Sequence, residues 1–424
     1  MKGIILAGGS GTRQGTTETS LGTNCFQKVV SLIKIPIKPN RIFGLDLVRA
    51  FAIISVVYGH GNSILSSLIP AEILMIPKFD GVSIFFVISG FLSGRSLINL
   101  FEKEGPSVVS MGNFWIRRWF RTLPTYFLIL FLIFAAFYIG GTTVDIRKYL
   151  IVLQNFSYPH PNFFMEAWSL GVQEWFYILF PITVICATQL GFSKKKSFLG
   201  SAISFIMVPI FVKYFRMQNL MADPDFILPH PDWLNYWDLN FRKQFITRAD
   251  SVAIGVLGGF VSIYYGNFFK RYSKILLIYG LSLTLLVKCL NYYFVNNLLF
   301  QCILSFILTS VGALFLLPFL SEYRVKSYTL FHRVVIKISL ISYSLYLLNL
   351  SFVQYQIIPK ILRMIPPGHL TMTQTVLLKY GLYWILCFFG ATLLYKFFEK
   401  PTTDLRKKFK LEIKKASAVP ARQI

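Results

Sequence analysis

The sequence predicts an all-α polytopic membrane protein: a bundle of about ten transmembrane helices with the N-terminus and C-terminus both cytoplasmic. Three observations predict it. Of 424 residues, 54% are hydrophobic and only 14% charged, whereas a soluble domain carries about a quarter charged residues. Apolar segments of about twenty residues, long enough to cross a bilayer as a helix, recur along the whole chain. Lysines and arginines concentrate in alternate connections between those segments, as they do on the inner side of a membrane. A β-barrel would instead show short alternating segments.

The chain opens with MKGIILAGGSGTR. Residues 1–13 resemble the start of a sugar-nucleotide nucleotidyltransferase, where a strand leads into a Gly-rich loop whose backbone N–H groups wrap phosphates. That loop needs a complete α/β domain to hold it, and here the resemblance stops after Arg13, with a span beginning near residue 47. Residues 1–40 are therefore expected to be a remnant or extension, poorly ordered and without nucleotidyltransferase activity. The apolar run MKGIILAGG is too short for a secretory signal, so the first span must direct insertion.

Ten candidate spans follow, with cores near 47–68, 80–100, 123–140, 167–188, 199–214, 248–266, 274–290, 296–320, 337–358 and 377–398. With the N-terminus inside, every inside connection is basic: Lys34, Lys38 and Arg41; Arg117, Arg118 and Arg121; Lys194, Lys195 and Lys196; Lys270 and Arg271; Arg324 and Lys326. The tail 403–424 is basic too. This asymmetry accounts for the net charge of +25 and sets nucleic acid aside as a partner in favour of the lipid bilayer. Two long outside loops, 141–166 and 215–246, are places for a sugar to dock, or else interfacial loops with Trp233 and Trp237 as belt residues. Of five cysteines, Cys186, Cys289, Cys302 and Cys387 lie in apolar segments and Cys25 lies apart. None has metal-ligand spacing, so neither a disulfide framework nor a metal site is expected.

Ionisable residues within a span are costly and are functional candidates. The first span, GLDLVRAFAIISVVYGHGNS, holds Asp46, Arg49 and His60. Arg49 and His60 are separated by roughly 16 Å along a helix axis and by three turns plus about 20°, so they share one face at two depths. Arg49 at the inner mouth suits a phosphate-bearing donor, and His60, deeper, suits a general base. The competing reading has Arg49 snorkelling and His60 in a structural hydrogen bond. Arg118 and Arg121, at i and i+3, share a face. They either clamp phosphates or mark topology and touch anionic lipid, the reading that charge alone favours. Ser89, Gly90, Ser93 and Gly94 read as a close-packing face. Glu174 needs a basic or histidine partner, to orient a catalytic histidine or as a structural pair. Arg248 and Asp250 form a polar pair, structural or substrate-binding. Ser342, Tyr343 and Tyr346 are polar points on the ninth span.

The ordered series GLDLVRAFAIISVVYGH, IFFVISGFL, RRWFRTLPTY, WSLGVQEWFY, TRADSVAIGVL, ISYSLYL and FFEKP resembles the membrane acyltransferase-3 family over residues 41–402. That resemblance implies ten core helices, an acyl-CoA donor (commonly acetyl-CoA) and a sugar acceptor of lipopolysaccharide O-antigen, capsule or another glycan. It matches Arg49 and His60 to the family's essential pair and Arg118 and Arg121 to its Arg-x-x-Arg motif. No attached extracytoplasmic hydrolase-like domain is expected. The chain departs at Gln173, where the family has Glu. Either Glu174 takes over the carboxylate role, or the carboxylate is dispensable, or activity is impaired.

The resulting expectation is an O-acetyltransferase of the bacterial inner membrane that acts on a surface polysaccharide or lipid-linked glycan without a metal. His60 and Glu174 would be catalytic, Arg49, Arg118 and Arg121 would bind acetyl-CoA, and Arg248 and Asp250 would bind the acceptor. An acyl-histidine route remains open. A transporter or flippase of a lipid-linked sugar is the alternative, and an inactive scaffold a third.

Overall fold

The computed structural model describes residues 35–37, 41–223, 226, 228, 232–366, 368–409 and 411. The Gly-rich opening and nearly all of 1–40 lie outside the described residues, as does 412–424 of the basic tail. Among the described residues, ten helices are long and apolar enough to cross a membrane. They are α1 (Phe43–Leu65), α2 (Gly81–Glu104), α3 (Val108–Ile139), α4 (Ala167–Gln189), α5 (Lys194–Met221), α6 (Phe245–Tyr264), α7 (Ser273–Tyr293), α8 (Phe300–Leu320), α9 (Leu330–Leu362) and α10 (Met372–Leu405). All ten belong to one compact unit, Ile37–Ile424.

An apolar solvent demands that the backbone of a spanning segment be satisfied within the protein, and helices do most of this internally. Side chains close several helix starts: Asp80 accepts from Ser83 N at the start of α2, Ser107 from Ser110 N at the start of α3, and Thr371 from Gln374 N at the start of α10. The third helix begins well before the apolar core near residue 123, because the amphipathic stretch NFWIRRWFR is helical as well. Arg118 and Arg121 therefore ride on a spanning helix and not on a loop.

α1, α2, α4, α6 and α9 are mostly buried, while α3, α5, α7 and α10 leave most of their surface outward. Helix association in lipid relies on close van der Waals fit. The expected small-residue face supplies it: a Cβ built on Gly90 of α2 would overlap the Val252 carbonyl oxygen of α6, and one on Gly255 of α6 would overlap that of Val87. Above this contact, Val87, Ile88 and Phe91 pack with Val48 and Ala52 of α1 and Leu317 of α8.

The loop 215–246 differs from the expected belt. Trp233 is a core residue beside Met217, Phe241 and Phe306, and Trp237 donates to Gln301 O at 3.0 Å and stacks on Phe306 at 5.4 Å. The start of the basic tail docks on α3: Leu411 and Asn113 exchange two hydrogen bonds, and Phe409 stacks on Phe120.

Candidate functional site

Asp46 lies one turn before Arg49, the spacing of a helical ion pair. Its carboxylate is already engaged. Arg41 Nε donates to it at 2.8 Å and Ser339 Oγ at 2.7 Å. Arg49 is left half-buried, and among the described residues no ion pair joins Arg49, Arg118 or Arg121 to a carboxylate. The Arg118 guanidinium lies over Tyr177 at 5.1 Å and Phe114 at 5.6 Å. All three arginines border one cleft of about 880 Å³, its open mouth included. Three guanidinium groups at a cleft mouth, none in a direct ion pair among the described residues, form a site for a multiply charged anion such as a phosphate ester.

From the arginines the cleft runs between α2, α4 and α9. Val82, Phe85, Ile88 and Leu92 make one wall apolar, while Gln173, Tyr343, Ser169 and Tyr346 make the other polar. Gln173 thus faces the cleft at the position where the family carries Glu. Glu174 does not line it. Adjacent helical residues point about 100° apart, and Glu174 turns behind Thr122, whose hydroxyl donates to its Oε1 at 2.7 Å. Glu174, expected to stand in for the missing carboxylate or to orient a catalytic histidine, thus lies on the arginine half of the bundle and touches Thr122 and not His60.

The far end of the cleft is Tyr346, whose hydroxyl is held by Ser169 Oγ at 2.7 Å and donates to Glu166 O at 3.0 Å. His60 is not part of the cleft lining. It lies within a turn beyond it, with Nδ1 2.5 Å from Oδ1 of Asn349. Arg49 borders the cleft beside Ser342 and Tyr343 of α9 and His60 meets Asn349 of the same helix, in agreement with a shared face.

The layer around His60 is charged. The Lys78 stem lies over Gly59, and Lys78, Arg242 and Lys243 are within electrostatic reach of the imidazole. Arg242 stacks over buried Trp168 at 5.1 Å and donates to Asp238 at 2.7 Å. Burial would push the Asp80 carboxyl up, but Arg242, Arg248 and the bonds from Ser83 hold it below its ordinary value. Asp80, Arg242 and Asn349 were not singled out for this site by sequence: Asp80 and Arg242 lie near span ends, and Asn349 is one polar residue within the ninth span.

Arg248 and Asp250 do not form the pair expected of them. Asp250 is buried against the ammonium of Lys213 and accepts from Ser251 N at 2.7 Å. Arg248 is fully buried, donates to Ser83 Oγ and lies 4.1 Å over Phe306. Of the two readings of Asp250, structural or substrate-binding, the buried pairing with Lys213 accords with the structural one.

Residues 42–402 match the family model described as an acyltransferase domain, acyltransferase-3. The chain belongs to this family. Members of the acyltransferase-3 family are acyltransferase enzymes, and the ordered motifs sit on α1 to α4, α6, α9 and α10. A candidate O-acetyltransferase of Staphylococcus aureus (strain COL) is 30% identical over 179 residues, 38% of this chain and 28% of the relative. A candidate peptidoglycan O-acetyltransferase of Bacillus subtilis is 27% identical over 182 residues, 39% of this chain and 27% of the relative. The peptidoglycan O-acetyltransferase OatA of Listeria monocytogenes is 27% identical over 154 residues, 32% of this chain and 23% of the relative. The matched stretch therefore spans less than a third of these curated relatives. No solved structure matches the chain significantly.

Proposed function

We propose that this acyltransferase-3 protein moves an acetyl group from acetyl-CoA to a hydroxyl of a surface polysaccharide or lipid-linked glycan at a bacterial inner membrane. The observation that carries the reading is the trio of guanidinium groups, unpaired among the described residues, at the mouth of a cleft that ends one turn from His60. Relatives named as O-acetyltransferases support it, and peptidoglycan, named for two of them, is of the same acceptor class.

The donor supplies a thioester and several phosphates. Arg49, Arg118 and Arg121 hold the phosphates on the side assigned to the cytoplasm by the basic loops. The apolar wall of α2 and the polar wall of α4 and α9 guide the thin thioester-bearing arm inward. His60 takes the proton of the acceptor hydroxyl as its oxygen bonds to the acyl carbon, and returns it to the sulfur as the carbon–sulfur bond breaks. The outer charged layer around Arg242 and Asp80 orients the acceptor.

The test is labelled acetyl transfer by the purified protein in lipid. His60→Ala abolishes transfer while acetyl-CoA binding persists. Arg49→Gln weakens acetyl-CoA binding about 10- to 100-fold, the worth of one hydrogen bond to a charged group. Undiminished transfer by His60→Ala removes the assigned role, and a wild-type protein that moves a lipid-linked sugar without binding acetyl-CoA identifies a flippase instead.

A further inference from the structure

An imidazole acts as a base only through the ring nitrogen that carries no proton, and the partner of the other nitrogen decides which one that is. The partner here is Asn349, 289 residues away in sequence. It opens a π-helical segment, Asn349–Ile357, inside the ninth span. Such segments are rare and concentrate at functional sites.

We propose that Asn349 is a positioning residue that holds His60 in its Nδ1–H tautomer and so leaves Nε2 free to take the acceptor's proton; this rests on the transfer function proposed above. The amide orientation follows from its bonds. Asn349 Nδ2 donates to Leu345 O at 3.0 Å and Tyr346 O at 2.6 Å, so its two hydrogens are used and Oδ1 must face His60. An amide oxygen only accepts, and the ring nitrogen against it must therefore carry the proton. The nearby Tyr383 hydroxyl has one hydrogen, directed to Val57 O at 2.9 Å, and stands 3.3 Å from Asn349 Oδ1.

The π segment makes this bonding possible. In a regular helix the carbonyls of Leu345 and Tyr346 would accept from the amides of residues 349 and 350. Here the Asn349 side chain also donates to both carbonyls. The amides of Leu350 and Ser351 turn to Glu166 Oε1 at 2.9 and 2.7 Å, and the Ser351 hydroxyl donates to Glu166 Oε2. Glu166 is buried, so the carboxylate clamps the turn that presents Asn349.

The experiment uses the full chain in lipid nanodiscs with ¹⁵N-labelled histidine, the His60 signals being identified by their loss in His60→Gln. The expected spectrum has Nδ1 protonated and Nε2 unprotonated. Asn349→Leu, of similar size but without an acceptor, is expected to lose that preference. It should lower kcat for acetyl transfer about 10- to 100-fold and leave KM for acetyl-CoA within about twofold. A wild-type spectrum with Nε2 protonated overturns the proposal even if Asn349→Leu fails to fold. So does Asn349→Leu with unchanged kcat, or with reduced kcat and an unchanged tautomer. A wild-type protein that shows the expected tautomer but transfers no acetyl removes the proposed function and leaves the tautomer assignment standing, so the two failures read differently.

Discussion

Replacing Asp250 with Asn removes the carboxylate that the Lys213 ammonium faces in the bundle interior. The two side chains are 0% and 1% exposed, and the ammonium also lies 5.2 Å from the Phe306 ring centroid. Two unit charges about 4 Å apart at an effective dielectric of about 20 attract by about 4 kcal/mol. Removal of one partner from a buried pair costs about 3–5 kcal/mol, because the other charge stays buried without compensation. Asp250→Asn is therefore expected to lose about 3–5 kcal/mol, read as the unfolding equilibrium in mixed detergent–SDS micelles. Lys213→Met should lose a similar amount. The double variant Lys213→Met with Asp250→Leu should recover most of the loss, since apolar side chains of similar volume replace buried pairs at little cost. A stability change below about 1 kcal/mol for Asp250→Asn, coupled to a raised KM for the glycan, would refute the reasoning. It would return Asp250 to the acceptor site.

Two further outcomes follow from the packing. Glu174→Gln keeps an oxygen for the Thr122 hydroxyl and faces away from the cleft, so acetyl transfer should stay within about threefold of wild type, under 1 kcal/mol in barrier; a hundredfold loss would make the carboxylate catalytic after all. Gly90→Ala would gain about 1 kcal/mol of helix propensity in isolation, yet the added methyl overlaps the Val252 carbonyl oxygen and costs about 1–3 kcal/mol. The variant should be the less stable in the same unfolding equilibrium, and equal or greater stability would show that α2 and α6 can move apart freely.

The ten spans were legible in the sequence because a bilayer makes each helix satisfy its own backbone and show an apolar run of fixed length. The pairing of Arg118 with Arg121 and the shared face of Arg49 and His60 were legible for a related reason: spacing along one helix sets direction without reference to any other element. The packing role of Gly90 was legible because small residues admit a close neighbour, although which neighbour was not. Everything that depended on a second helix lay beyond this reading. Arg49 is free because Arg41 takes Asp46, and Asp250 is structural because Lys213, 37 residues away, points at it. Gln173 faces the cleft while Glu174 does not, because of how α4 is rotated against α3 and α9. By sequence Asn349 is one more polar residue on an apolar span, and only the packing of α9 against α1 brings it to His60. Hydropathy cannot specify such partners, since lipid is as apolar as the helix faces themselves. Shape fit and interhelical hydrogen bonds choose the neighbours and their rotation, and those exist only once the bundle is assembled.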